Sequence, residues 1–280
     1  DKPQGPTSHQ VSDYVQKILG ISKAGHSGTL DPNVTGVLPI ALGRATRIVQ
    51  ALLNSGKEYI ALMHLHREVS ESQIKKCLVS FTGKIKQLPP IKSSVKRVLR
   101  QREVYYLDIL EIEEKDVLFR VGCEAGTYIR KLIHDIGLKL GCGAHMVELR
   151  RTKAGPFDES TLVSLYDLKD GYEFWKKENE ERYLRKIIQP VENAVKHLPK
   201  IWVLDSAVDT LCHGASLSVP GVSKFNQFTE GEVVAVMTLK NELICLGNAR
   251  MDSLKLSKES KGLVISNTKV FMERGIYQKP

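Results

Sequence analysis

A single carboxylate, Asp31, sits in the stretch Ala24-Gly-His-Ser-Gly-Thr-Leu-Asp-Pro-Asn-Val-Thr-Gly-Val-Leu-Pro39, five residues after His26. Gly25, Gly28, Pro32, Gly36 and Pro39 surround it. Glycines and prolines together hold a backbone in conformations that other residues reach only with strain. A stiff loop carrying one acid and one imidazole is suited to present a nucleophile or a general base. An isolated Leu-Asp-Pro is more simply a surface turn closed by its Asp, so the assignment depends on what the rest of the chain brings to the loop.

Other chemistry is sparse. The five cysteines (Cys77, Cys123, Cys142, Cys212 and Cys245) are scattered and form no Cys-x-x-Cys pair. That spacing predicts reduced thiols in a cytoplasmic compartment and no zinc site. His64-Leu-His66 places two imidazoles on one face of a strand with no third ligand near them in sequence, which predicts a structural or surface role. No apolar run approaches the roughly 20 residues of a membrane span. The opening Asp1-Lys-Pro-Gln-Gly5 is not a signal peptide and lacks an initiator Met, so the natural N-terminus is expected upstream.

Charge points to a partner. The chain of 280 residues carries a formal net charge of +9, with 42% hydrophobic and 26% charged residues, as in an ordinary globular protein. From Ser72 to Arg102 there are nine basic residues (Lys75, Lys76, Lys84, Lys86, Lys92, Lys96, Arg97, Arg100 and Arg102) and no acid. Pro89-Pro90 and Ser93-Ser94 interrupt the run, which predicts an exposed loop over much of it. A positive loop in a basic protein suits a polyanion, nucleic acid before an acidic membrane surface.

The elements that would position Asp31 can be read from caps and periodicity. Thr7 and Ser8 cap a helix with Val11, Val15, Ile18 and Leu19 inward and Gly20 as its stop. A second helix is expected over Arg47–Asn54, a strand over Lys57–His66, and a helix opened by a Ser70/Gln73 capping box and closed at Gly83. Two strands flank Glu113-Glu-Lys-Asp116, a helix begins after Gly126-Thr127, a strand spans Ala144–Thr152, and a broken helical region runs from about Leu168 to Ile188. Strands and helices without regular alternation predict an α+β fold rather than a doubly wound sheet. After Leu198-Pro-Lys200 the pattern changes to short strands and frequent turns, which predicts a small β-barrel and a domain boundary near 195–199, giving domains 1–197 and 198–280.

Four segments together resemble the TruB/dyskerin family of RNA pseudouridine synthases. Asp1-Lys-Pro-Gln-Gly-Pro-Thr-Ser8 is similar to its opening motif and Gly25-His-Ser-Gly-Thr-Leu-Asp-Pro32 to its catalytic loop. Lys57-Glu-Tyr59 is similar to its tyrosine motif, and Gly126-Thr-Tyr-Ile-Arg130 with Val147-Glu-Leu-Arg-Arg151 to its third region. The C-terminal part resembles the PUA domain, an RNA-binding module, and its His213-Gly-Ala-Ser-Leu-Ser-Val-Pro-Gly221 resembles the archaeal and eukaryotic guide-RNA branch. The resemblance implies a catalytic domain with a central, mainly antiparallel mixed sheet flanked by helices. It implies a reaction that needs no cofactor and no metal, and a basic 84–102 loop that clamps substrate RNA through Lys92, Lys96, Arg97 and Arg100.

For the site, it implies that Asp31 attacks the ribose or the base, or takes a ribose proton; the residues leave these routes open. A carboxylate covered by a base is pushed toward its neutral form, so a cation must hold its charge. Arg130 matches the family position that does so, and a guanidinium fixes carboxylate geometry better than an ammonium. Tyr59 is expected to stack on the extruded uracil, Leu149 to pack against that base from the other side, and Tyr128 to line the pocket. His26 is expected to fill the space the base leaves. Lys57, Arg150 and Arg151 are expected either to meet phosphates or to be solvated surface charge. His213, Gly214, Pro220 and Gly221 are the expected contacts to a guide RNA.

The resemblance further implies a box H/ACA guide RNA, an rRNA substrate and three accessory proteins: one of zinc-ribbon or linear type, one β-barrel, and one that binds kink-turns and is held through the guide. The compartment would be cytoplasmic in an archaeon and nucleolar in a eukaryote. Two other readings stand beside it. One is a stand-alone enzyme for the tRNA T-arm; the other is a scaffold without activity, for which Asp31, Tyr59, Tyr128 and Arg130 together would have no chemical purpose.

Overall fold

Thr7 accepts a hydrogen bond from the Gln10 N–H while the Gln10 side chain accepts one from the Thr7 N–H, at 3.2 and 2.8 Å. This reciprocal box starts α1 (Ser8–Leu19), and Gly20 in the left-handed region, with φ of 62°, ends it. The computed structural model describes residues 1–89 and 96–277. Its contacts form two units: Asp1–Ala41 with Val49–Ile187, and Leu42–Ile48 with the chain from Ile188 onward.

In the first unit α1 is followed by β1 (Ala24–His26), β2 (Thr35–Gly36), β3 (Ile40–Leu42), α2 (Val49–Leu53), β4 (Lys57–Leu65) and α3 (Glu71–Val79). Then come β5 (Gly83–Gln87), β6 (Arg100–Glu113), β7 (Asp116–Cys123), α4 (Ile129–Leu140), β8 (Ala144–Ala154), β9 (Phe157–Asp158), α5 (Leu165–Glu178) and α6 (Arg182–Ile187). The main sheet runs β2-β8-β4-β7-β6-β5, with β9 added to β8. Only β2 lies parallel to its neighbour; every other pair is antiparallel. This is the expected mixed, mainly antiparallel sheet of an α+β domain.

Alternation decides which face of the sheet is core. Ala61, Met63 and Leu65 of β4 and Val117, Phe119 and Val121 of β7 are fully buried, packed with Ile74 and Leu78 of α3 and Leu132, Ile133 and Ile136 of α4. The long strand β4 is therefore the spine on which α4 and the first loops rest.

Two local expectations differ from the structure. Gly43–Ile48 is 3-10 helix and only Val49–Leu53 is α-helical, so the expected helix over Arg47–Asn54 is shorter and tighter. The basic run is also less of a loop than its composition suggests: β5 and β6 form a hairpin whose last pair is Gln87 with Arg100. Strand β5 went unread because its sequence, Gly-Lys-Ile-Lys-Gln, has one apolar residue. Lysines on an exposed edge strand are a common guard against edge-to-edge pairing.

The second unit contains β10 (Lys200–Val203), α7 (Asp205–Cys212), β11 (Leu217–Ser218), β12 (Val222–Phe225), β13 (Val233–Met237), β14 (Leu243–Ala249), α8 (Ser253–Leu256) and β15 (Leu263–Val270). Six strands in the order β11-β15-β14-β13-β10-β12 make a barrel-like sheet around Ile201, Val203, Val234, Val236, Ile244 and Val264. Among the described residues no helix is long and apolar enough to cross a membrane.

One glycine is indispensable to how the Asp31 loop meets the sheet. Gly36 has φ of 101°, and a Cβ there would lie 2.2 Å from the Arg151 carbonyl oxygen. Gly36→Ala should cost roughly 3 kcal/mol from backbone strain and overlap. The measurement is a denaturation midpoint, and an unchanged midpoint would show that β2 does not need to lie this close to β8.

Candidate active site

Strands β1 and β3 pair with each other, and Ser27 N–H donates to the Pro39 carbonyl at 3.0 Å, so the intervening residues leave and return at one point. Three parts of the chain brace this excursion. Ser8 Oγ accepts from Leu30 N–H at 2.9 Å and donates to Leu30 O at 3.1 Å. Lys2 Nζ donates to the carbonyls of Pro3, Pro32 and Val34 at 2.9–3.0 Å. On the sheet side, Val37 N–H donates to Arg151 O at 2.8 Å and Arg151 Nε donates to Val37 O at 2.7 Å.

Lys2 and Arg151 are each only 1% exposed. Burial pushes the pKa of both down, opposed at Lys2 by the nearby Asp31 charge and at Arg151 by Tyr59. Lys2 keeps its proton useful by giving all three ammonium hydrogens to carbonyls, which is how a buried cation becomes tolerable.

The Asp31 side chain emerges from this braced loop toward α4, where Arg130 Nη2 donates to Asp31 Oδ2. Ninety-nine positions separate the partners in sequence, and both side chains are about half exposed, at 52% and 51%. An ion pair that open contributes about 0–1 kcal/mol to stability. Its significance is therefore geometric: it aims a carboxylate and fixes which oxygen remains free.

Arg130 is aimed by the start of α4. Tyr128 is the N-cap residue, without a side-chain cap bond of its own. Its N–H donates to Gln87 Oε1 at 3.0 Å and its carbonyl accepts from Gln87 Nε2 at 3.2 Å. Sequence reasoning missed Gln87, Ser8 as a loop brace, and Lys2. The available signals were a polar residue at an inward position of β5 and, at position 2, a lysine inside the opening motif.

Alternation splits the Lys57-Glu-Tyr59 motif. Glu58, 7% exposed, turns to one face and accepts from Tyr106 Oη at 2.5 Å and Thr152 Oγ1 at 2.8 Å. Burial raises its pKa, but these two hydrogen bonds together with the nearby Lys153 and Arg120 charges outweigh that and hold the carboxylate below its ordinary value; Tyr106 is pushed up to about 12 by burial and by Glu58. Tyr59 turns to the other face, paired in register with Arg151, while the next inward pair is Ala61 with Leu149. Burial raises the Tyr59 pKa, Arg151 opposes the rise, and the Asp31 charge adds to it. Tyr59, Leu149 and Arg151 thus share one sheet face, with Tyr59 within electrostatic reach of Asp31 and Leu149 buried in the core against which Tyr59 packs.

His26 sits at the foot of the loop, with Nδ1 3.1 Å from Ser12 Oγ and Nε2 3.3 Å from Thr29 Oγ1. Its ring meets His9 edge-on at 4.7 Å. Burial, His9 and Arg151 all lower its pKa, which favours the neutral imidazole.

Two of the residues expected at phosphates or as surface charge are instead buried. Lys57 is 7% exposed and donates to the carbonyls of Leu52, Leu53 and Ser55 at 3.0, 2.9 and 2.6 Å, which leaves no hydrogen for a phosphate. Burial and the neighbouring Arg151 bring its pKa down to about 8. Arg151 is buried as the loop anchor. Arg150 is at the surface but bonded to Glu159 at 2.6 Å and Asp1 at 3.2 Å. Lys96 and Arg97 are exposed, Arg100 is half-buried at the start of β6, and Lys92 lies outside the described residues.

In the second unit, His213 and Gly214 line an open cleft of about 700 Å³ together with Arg44, Arg47, Cys212, Val270, Glu273 and Arg274. Pro220 and Gly221, in the 3-10 turn before β12, do not line it. His64 and His66 gain partners from other strands: His64 Nδ1 is 2.6 Å from Asp116 Oδ1 and His66 Nε2 is 3.0 Å from His145 Nδ1. Among the described residues no group of three or more His, Cys, Asp or Glu is arranged to hold a metal ion.

Known proteins share this arrangement along the whole chain. Residues 16–129 match the N-terminal domain of TruB family pseudouridylate synthases, 130–196 the C-terminal domain of tRNA pseudouridylate synthase B, and 199–271 the PUA domain. A protein of Pyrococcus abyssi named probable tRNA pseudouridine synthase B is 59% identical over all of this chain and 84% of its own length. A Methanosarcina barkeri protein of the same name is 57% identical over all of this chain and 83% of its own length. A chain in the crystal structure of a Cbf5-Nop10-Gar1 complex superposes with a TM-score of 0.97 at 58% identity, covering 100% of this chain and 86% of that one. A chain in the structure of an H/ACA RNP bound to a substrate RNA containing 2'-deoxyuridine does so with 0.94 at 56%, over 100% and 86%.

If Lys57 serves the fold rather than a ligand, Lys57→Met should lower stability by about 1–3 kcal/mol by orphaning carbonyls at the end of α2. The dependence of RNA affinity on salt should keep its slope, because no phosphate contact is lost. A slope reduced by about one charge with stability intact would return Lys57 to the RNA.

Proposed function

The chain belongs to the TruB family of pseudouridylate synthases and is an RNA pseudouridine synthase, and from that premise we propose that it is the catalytic subunit of a box H/ACA guide-RNA particle that isomerises selected uridines of rRNA. The observation that carries the chemistry is the ion pair between Asp31 and Arg130, made from two segments whose distance in sequence leaves no local reason for them to meet. The close match to a chain solved within an H/ACA particle holding substrate RNA supports the guide-dependent form. We further take residues 1–197 as the catalytic domain and 198–280 as the RNA-binding domain, with accessory proteins of the Nop10 and Gar1 kind as its partners.

The reaction breaks the bond between uracil N1 and ribose C1′ and makes one from C5 to C1′; the proton at C5 leaves and N1 gains one, so nothing is consumed. One ionised carboxylate is required beside the sugar. Asp31 provides it, either adding to the ribose or base or removing a ribose proton. Open to water in the free protein, the pair becomes covered when an extruded nucleotide enters, and the attraction between Asp31 and Arg130 then strengthens as the local dielectric falls. Arg130 so stabilises the carboxylate charge where the substrate takes it out of water.

The remaining roles follow from position. Tyr59 offers its ring to the uracil from the sheet, with Leu149 beside it on the same face. Tyr128 stands two residues before Arg130 at the mouth of α4. His26, neutral and tied to Ser12 and Thr29, is placed at the loop's foot to occupy space vacated by the base. The exposed Lys96 and Arg97 hold the phosphate backbone. His213 and Gly214, in a cleft that also contains Arg44, Arg47 and Arg274, receive the guide.

The names borne by the Pyrococcus and Methanosarcina relatives favour a second reading, action on tRNA without a guide. Pseudouridine formation assayed in a guide–target duplex and in a T-arm stem-loop, each with and without accessory proteins, separates the two. Guide-dependent product is expected; product from the stem-loop alone, with none in the duplex, would overturn the guide-dependent reading.

Asp31→Asn should reduce turnover by a factor of roughly 10⁴ or more while RNA affinity stays within about twofold, since it removes the group on which the barrier depends and little surface. Arg130→Ala should slow single-turnover isomerisation by roughly 10²–10³, in line with loss of a preorganised electrostatic partner. A near-normal rate in either variant would refute the assignment of the pair.

A further inference from the structure

Gln87 is 2% exposed, and its carboxamide closes a two-bond ring with the backbone of Tyr128, accepting from its N–H and donating to its carbonyl. On β5 the side chains alternate outward at Lys84 and Lys86 and inward at Ile85 and Gln87, so an apolar residue at position 87 would satisfy the pattern of the strand. The polar residue there answers a demand from outside the strand. Tyr128 opens α4 without a capping side chain, and its carbonyl also accepts the first helical bond, from Leu132 N–H at 2.9 Å.

Gln87 thus specifies the direction in which the helix leaves the turn. Arg130 is the second residue of that helix, and its guanidinium meets Asp31 from there. We propose that Gln87 is a positioning residue of the isomerisation: through the Tyr128 backbone it holds the first turn of α4 so that Arg130 reaches Asp31. The proposal rests on the catalytic reading of the Asp31–Arg130 pair. Gln87 touches neither of those side chains and acts through the backbone between.

The test compares Gln87→Leu and Gln87→Glu with the unaltered protein in the full guide particle, measuring substrate RNA affinity and single-turnover rate separately. Gln87→Leu keeps the volume but loses both hydrogen bonds. It should leave the dissociation constant within about twofold and slow the chemical step roughly 10–100-fold, the scale of a small misplacement of a catalytic group. Gln87→Glu supplies a readout that a purely structural role would not move. A protonated carboxyl has the same donor and acceptor as the carboxamide, so the rate relative to the unaltered protein should recover as pH falls, while Gln87→Leu shows no such recovery.

Epistasis locates the effect. In an Arg130→Lys background Gln87→Leu should cost little more, because the geometry it protects is already lost; an equal proportional loss in both backgrounds would overturn the proposal. So would a Gln87→Leu rate within twofold of normal, or a defect confined to RNA affinity. Full turnover in Asp31→Asn would instead remove the catalytic reading and this proposal with it, an outcome distinguishable from failure at Gln87 alone.

Discussion

The carbonyls of Leu30, Pro32, Val34 and Val37 all face inward, and each meets a donor from elsewhere in the chain: Ser8 Oγ, Lys2 Nζ twice, and Arg151 Nε. A buried carbonyl left without a partner costs about 1–3 kcal/mol. Leu30, Val34, Val37 and Leu38 of the loop around Asp31 are buried, and these bonds satisfy the backbone carbonyls that their burial takes out of water. Two of the three donors are buried cations, which would be costly alone; Lys2 meets three carbonyl dipoles and Arg151 gives its Nε–H to one. Rigidity of the loop and burial of the cations are one condition seen from two sides.

That condition shapes the electrostatics of the site. Lys2, Lys57 and Arg151 are positive and buried near a loop whose one acidic side chain is Asp31. Among the described residues none of the three forms an ion pair, so their field is directed by the backbone and the low-dielectric core instead of being cancelled by carboxylates. Such a field favours a polyanionic ligand. Arg130 adds a cation that is exposed and directional, and the mouth of α4 sets its direction.

The division of labour across β4 shows how a sheet makes this possible. Because consecutive side chains point to opposite faces, three adjacent residues do three unrelated jobs. Lys57 caps the end of α2, Glu58 binds Tyr106 and Thr152 on the far face, and Tyr59 turns toward Arg151 and the Asp31 loop. A one-residue slip in register would exchange the aromatic ring for a carboxylate, so strand pairing and site chemistry cannot be varied independently.

Much of this was legible beforehand. The capping box of α1, the stop at Gly20, the strands around the charged turn and the helix after Gly126-Thr127 are set by neighbours within a few residues, and the order of four motifs was enough to pair Asp31 with Arg130. Sequence could not tell that Lys57 and Arg151 are buried, that β5 is a strand, or that Gln87 holds Tyr128. A lysine's letters do not say whether its ammonium meets water, a phosphate or three carbonyls. That depends on which strand lies beside it and in what register, a matter decided only when residues a hundred positions apart are packed together and each buried polar group must find its partner.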